Sequence, residues 1–223
     1  MTDTIIAETG HHPEGTKASP VLRGAAHVIS YIFHPLFISG YVMAFLIFFH
    51  PYAFAGFDKR TKIFRFINIV FCNTFLPLFA VALMKALGLI NSIMLRTVKD
   101  RIIPYIVVMT FYFWSWWVFK NLPDIPALSI NFLLGAFLAV CAGFFCNIFF
   151  KISMHAIAMG GALMFFYLFG FHDAFGSGLY IAVALLCTGL VCTSRLILGT
   201  HTAFDVWMGL FAGMLTQYIA WLF

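Results

Sequence analysis

The chain has 223 residues, of which 63% are hydrophobic and 9% charged, with a formal net charge of +5. So apolar a chain has to satisfy its backbone hydrogen bonds inside helices in lipid, which excludes a water-soluble globular enzyme and points to an all-α, polytopic transmembrane helix bundle. The Lys and Arg residues lie between apolar segments and not along one amphipathic stretch, which marks membrane-edge loops and argues against a nucleic-acid partner.

Residues 1–24 form a polar N-terminal tail: Asp3, Glu8, His11, His12, Pro13, Glu14 and Lys17 leave no apolar run of the signal-peptide kind, and the tail is expected to be mobile. The membrane-embedded domain is expected over 25–223. A hydrocarbon core of about 30 Å takes roughly 20 helical residues, and apolar stretches of about that length fall near 28–49, 66–90, 102–121, 129–150, 155–171, 178–193 and 204–223. Pro35 is placed to divide the first, so six or seven spans are expected. Turns are marked by Pro51, the charged run from Asp58 to Lys62, Pro123 to Pro126 and Asp173 to Gly178 on one set of loops. Lys99 to Arg101, Lys151 to His155 and Ser194 to Asp205 fall on the other set.

Along the same segments, Trp114, Trp116 and Trp117 read as an interfacial aromatic belt, and Gly209 with Gly213 as a close helix contact. His34-Pro35 and His50-Pro51 read as histidines at helix ends or kinks and not as ligands. Cys72, Cys141, Cys146, Cys187 and Cys192 all lie in apolar runs without the spacing of a zinc site, so they are read as packing residues and not as ligands or disulfides.

With seven spans, the loops after the second, fourth and sixth helices emerge on one membrane face, so three groups of ionisable residues converge there. Setting aside Lys99, Arg101 and Arg195, the cations on the two faces balance: Lys17, Arg23, Lys85, Arg96 and Lys151 against Lys59, Arg60, Lys62, Arg65 and Lys120. The compact cluster from Lys59 to Arg65 is taken as the cytoplasmic anchor, because charges in short loops orient helices most strongly. That places the polar site on the non-cytoplasmic face of an integral membrane protein, expected in the plasma (inner) membrane.

Ionisable residues at membrane depth are costly and ask for a functional explanation. His201 and Asp205 are four apart, so at the start of a helix the carboxylate can accept a hydrogen bond from the imidazole and leave its other nitrogen as nucleophile or base. Arg195 offers a fork of donors suited to phosphate oxygens, Ser194 adds a hydroxyl, and the start of the last helix favours an anion. A nucleophilic histidine beside an anion cradle suits phosphoryl transfer.

The arrangement Ser194-Arg195, five residues, His201, three residues, Asp205 resembles the third signature of the type 2 phosphatidic acid phosphatase superfamily at every defined position. The second signature, Pro-Ser-Gly-His, is similar to Ile152-Ser153-Met154-His155, which keeps the serine and histidine and lacks the proline and glycine. The first, a lysine followed after six residues by Arg-Pro, is similar in content but not in spacing to Lys99-Asp100-Arg101-Ile102-Ile103-Pro104, with Arg96 as a rival for the lysine's place.

The resemblance covers about 96–208. It implies that His201 attacks phosphorus, Asp205 orients it, and His155 protonates the leaving oxygen and then activates water. Arg195, Ser194, Ser153, Lys99 and Arg101 would hold the phosphate oxygens, and neither a metal nor a cofactor is implied. The expectation is a phosphatase acting on a membrane lipid phosphate or a polyprenyl diphosphate through a phosphohistidine. The alternatives are a lipid phosphotransferase on the same scaffold and a catalytically impaired lipid-phosphate binder.

Overall fold

A computed structural model describes residues 18–90, 98–172 and 178–223. Among them there is no strand; the elements in order are α1 (Pro20–Ile32), α2 (Pro35–Ala44), α3 (Lys59–Val70), α4 (Leu76–Ala86), α5 (Val98–Lys120), α6 (Ala127–Phe149), α7 (Met154–His172), α8 (Gly178–Ile197) and α9 (Ala203–Trp221). The all-α membrane bundle expected from composition is what the chain forms.

Local sequence sets the helix starts. Ser19 caps α1 by accepting from Leu22 N–H, and Pro20 opens the helix, where a missing N–H costs nothing. His34 and Pro35 repeat this arrangement for α2, and Asp58 caps α3 through Thr61. Two caps so close in sequence break the first apolar stretch: α1 and the run Pro35–Phe49 are bent by 60°. The first helix thus begins at Pro20, inside the stretch read as a polar tail ending at residue 24. It can do so because the acidic residues of that tail end at Glu14, leaving only Arg23 charged within α1.

A π-helical turn, Phe45–Phe49, ends the α2 run, and a second, Phe71–Phe75, joins α3 to α4 into one 28-residue helix, Lys59–Ala86. That helix starts earlier than the span expected at 66–90, because the basic run after Asp58 is its first turns and not a loop.

Among the described residues, five helices are long and apolar enough to cross a membrane, and the bent pair brings the number to six. The helix α9 falls outside this set, since Asp205, Thr216 and Gln217 lower its apolarity. Those groups face protein: Thr216 and Gln217 are buried, and Gln217 Nε2 donates to Asn131 O of α6 at 3.3 Å. Accordingly α9 packs most closely on α7 and then on α6.

Its glycines explain the close approach. A Cβ on Gly209 would lie 2.8 Å from Ser153 O, and one on Gly213 would overlap Ile157 O, so backbone meets backbone as the spacing of these two residues suggests. The largest apolar core, with Met43, Leu46, Phe54, Phe119, Leu133 and Phe165, joins α2, α5, α6 and α7. The five cysteines are half-buried and unpaired with one another.

Candidate functional site

Three loops meet at one end of the bundle. Ser153 N–H donates to Asp205 O at 3.3 Å, Arg101 Nη1 donates to Ile152 O at 3.4 Å, and His201 Nδ1 stands 3.1 Å from Lys151 O. These contacts join the start of α5, the α6–α7 loop and the α8–α9 loop, which is the convergence expected from helix parity.

The α8–α9 loop is shaped by two backbone signals. Gly199 has φ 63°, a left-handed conformation that ends α8 and turns the chain sharply. Thr202 then caps α9: its Oγ1 accepts from Asp205 N–H at 3.2 Å, while Thr202 N–H donates to Asp205 Oδ2 at 2.8 Å. His201 therefore precedes the helix and does not share its face. The distance from His201 Nδ1 to Asp205 Oδ2 is 3.9 Å, too long for a hydrogen bond.

The ring is oriented by a different group. A carbonyl oxygen can only accept, so Lys151 O fixes the proton on Nδ1 and leaves the lone pair of Nε2 available. The expected carboxylate–imidazole hydrogen bond is replaced by a backbone carbonyl, and Asp205 acts on the site through the helix cap.

His201 is buried, and burial lowers its pKa first; the guanidinium groups of Arg195 and Arg101 and the Lys151 ammonium lower it further, to about 3. It is neutral at physiological pH. The Lys151 ammonium is likewise pushed below its ordinary range by burial and by Arg101 and Arg195, with Asp205 opposing. Three cations beside one neutral imidazole, with the first turns of α7 and α9 at the same end, make a cluster that attracts anions.

The remaining wall comes from α1. Arg195 Nη1 donates to Ser30 Oγ at 3.3 Å and Nη2 to Thr200 Oγ1 at 2.7 Å, while His155 Nε2 donates to Ser30 O at 3.1 Å. Ser30 thus holds both the cradle arginine and the second histidine. The His34 ring meets His155 edge to face at a centroid distance of 5.6 Å.

Of the residues expected at the site, Arg101, His155, Arg195 and His201 are brought together, with Lys151 among them. Ser153 is fully buried, and its hydroxyl accepts from Ala156 N–H at 3.5 Å as a cap of α7. Ser194 Oγ donates to Leu190 O at 2.7 Å within α8. Neither hydroxyl is aimed at the cations.

Arg96 lies outside the described residues, as does the side chain of Lys99. Met154, at the position of the absent glycine, packs its sulfur against Gly143 of α6 and so points away from the cradle. Ser30 and Thr200 belong to no motif in the sequence, and His34, expected as a helix-end histidine, both caps α2 and meets His155. A signal existed for Thr200, which lies beside His201, but none for Ser30, which is 165 positions from Arg195. Among the described residues, no three His, Cys, Asp or Glu side chains are grouped as metal ligands. Comparison with family models, with characterised proteins and with solved structures finds no match for this chain.

Proposed function

We propose that this membrane protein is a phosphatase that hydrolyses a lipid phosphate or diphosphate through a phosphohistidine on His201. The observation that carries the reading is the pairing of a neutral His201, its Nε2 lone pair freed by Lys151 O, with the guanidinium groups of Arg195 and Arg101. In this mechanism the Nε2 lone pair attacks phosphorus as the bond to the leaving oxygen breaks, and His155 in its imidazolium form, with Nε2–H kept on Ser30 O, gives that oxygen the proton of Nδ1. Water then attacks the phosphohistidine, His155 takes its proton, and inorganic phosphate leaves. Arg195, Arg101 and Lys151 offset the charge on the phosphoryl oxygens throughout.

A lipid substrate is supported by the position of the cluster at the end of an apolar bundle, where a headgroup can enter while its chains stay in lipid. The site is assigned to the non-cytoplasmic face of the plasma (inner) membrane, because the compact basic run from Lys59 to Arg65 lies at the far end of its helix from the site.

The test is phosphate release by purified protein from phosphatidate, phosphatidylglycerophosphate, a polyprenyl diphosphate and a lipid A phosphate, with and without acceptor lipid. Release to water by the wild type, abolished in His201→Ala and inhibited by vanadate, is expected. Phosphate passing only to the acceptor would make the protein a transferase, and binding without turnover would make it a carrier.

A further inference from the structure

The helices α1 and α8 line an open apolar groove of about 600 Å³, with Leu22, Ala26 and Ile29 on one side and Leu186, Gly189 and Ser194 on the other. We propose that this groove holds one hydrocarbon chain of the phosphorylated lipid whose phosphate lies at Arg195 and His201; the inference rests on the phosphatase reading of that site.

Three observations support it. The first is continuity with the cations. Ser194 borders the groove, and the next residue, Arg195, bridges to Ser30 of α1 at 3.3 Å, so the seam that forms the groove also carries the phosphate cradle. A lipid lying in it puts its apolar part between α1 and α8 and its charged end beside a guanidinium.

The second is size. The lining runs along α8 from Ala182 to Ile197, about 22 Å at the rise of an α-helix. Spread along that length, 600 Å³ leaves room for an extended alkyl or prenyl chain. A second chain, where the lipid has one, stays in the bilayer; Leu185, Leu186 and Leu190 are exposed along the opening.

The third is Gly189. Glycine inside a helix weakens it relative to alanine, and such a residue in a membrane helix usually allows close packing. Here a Cβ would meet nothing within 4 Å. No neighbouring helix explains the residue; what it provides is open width midway along the groove, which any larger side chain would take up.

The experiment combines filling the groove with mapping its occupant. With dioleoyl phosphatidate as substrate, Gly189→Leu is expected to raise KM about ten-fold with little change in kcat, the mark of lost ground-state binding. With short-chain dihexanoyl phosphatidate the same variant should match the wild type. On the wild-type protein, a phosphatidate carrying a mid-chain diazirine should crosslink to α1 and α8, and the matching diacylglycerol, which lacks the phosphate, should do so far less.

An unchanged KM for the long-chain ester in Gly189→Leu overturns the proposal. Crosslinks confined to other helices, or equal labelling by the diacylglycerol, do so as well. Phosphate-dependent crosslinks at α1 and α8 without phosphate release by the wild type would uphold the groove and overturn the phosphatase reading instead.

Discussion

The α7–α9 seam and the α1–α8 seam both border the site, and both contain glycine, to opposite ends. On α9, Gly209 and Gly213 let backbone touch backbone, and Gly160 of α7 does the same against Leu210 O. The result is a rigid pair of helices whose preceding loops are locked together, so that Lys151 O meets His201 Nδ1 at 3.1 Å. On α8, a Cβ on Gly189 would meet nothing within 4 Å among the described residues, and among α1 residues only Ala26 and Ser30 are buried. The tight seam holds the reacting group in register, and the open one leaves room for what is brought to it. The phosphatase proposed here would need both properties, and they are separated onto different helix pairs.

If this division is right, damage to each seam has a different signature. The largest effect expected is on turnover: His201→Ala should lower kcat about 10³-fold or more, because it removes the nucleophile, while the protein stays folded with a Tm lowered by the lost ring packing and the lost hydrogen bond to Lys151 O. Arg195→Lys, read by the same assay, should cost about 10²-fold, since a lysine cannot reproduce the fork that reaches both Ser30 and Thr200.

Stability separates the seams next. Gly213→Ala should destabilise the protein by about 1–3 kcal/mol through overpacking against Ile157 O. Gly189→Ala, with open space around the new methyl group, should instead stabilise α8 by about 0.5–1 kcal/mol. Thermal unfolding in detergent measures both, and equal effects would erase the distinction.

Smaller effects test how His201 is held. Asp205→Asn keeps a side-chain oxygen for the Thr202 cap and does not touch Lys151 O, so turnover should fall less than ten-fold, as a rough bound. A loss of about 10⁴-fold, the scale seen where a carboxylate sets a catalytic tautomer, would restore the carboxylate to that role.

The low pKa of His201 also predicts an acid sensitivity. Between pH 6.5 and about 3 the unfolded chain binds a proton at this residue that the folded protein does not, so its contribution to stability is full above 6.5 and lost as pH falls. Between pH 7 and 5, His201→Gln should therefore show a smaller drop in Tm than the wild type.

The bundle is legible in the sequence because lipid imposes one strong rule, that apolar stretches of about 20 residues become helices. The break at His34 is legible from Pro35, and the α7–α9 contact from the spacing of Gly209 and Gly213. The ends of α1 and α3 are less so, since a cap and a proline, or an aspartate before a basic run, extend a helix into residues that composition alone assigns to a tail or loop.

At the site, the ionisable residues of the three loops are legible because charge in an apolar chain is conspicuous. What holds them is not. Lys151 acts on His201 through a backbone carbonyl, which every residue possesses, and Ser30 is a small polar residue far away in sequence whose oxygens become relevant only once α1 lies against α8. Four-residue spacing suggests an Asp205–His201 hydrogen bond, but the Thr202 cap moves the start of the helix past His201 and turns the carboxylate back onto the backbone.

The central claim is the covalent role of His201, and trapping the phosphoenzyme tests it most directly. Wild-type protein and His155→Ala are mixed with lipid carrying a radiolabelled phosphate, quenched in alkali to preserve phosphohistidine, and mapped by peptide. The account predicts label at His201 in the wild type, slower loss of any label formed in His155→Ala, where water is no longer activated, and none in His201→Ala. Label on another residue, or wild-type turnover by His201→Ala, would contradict it.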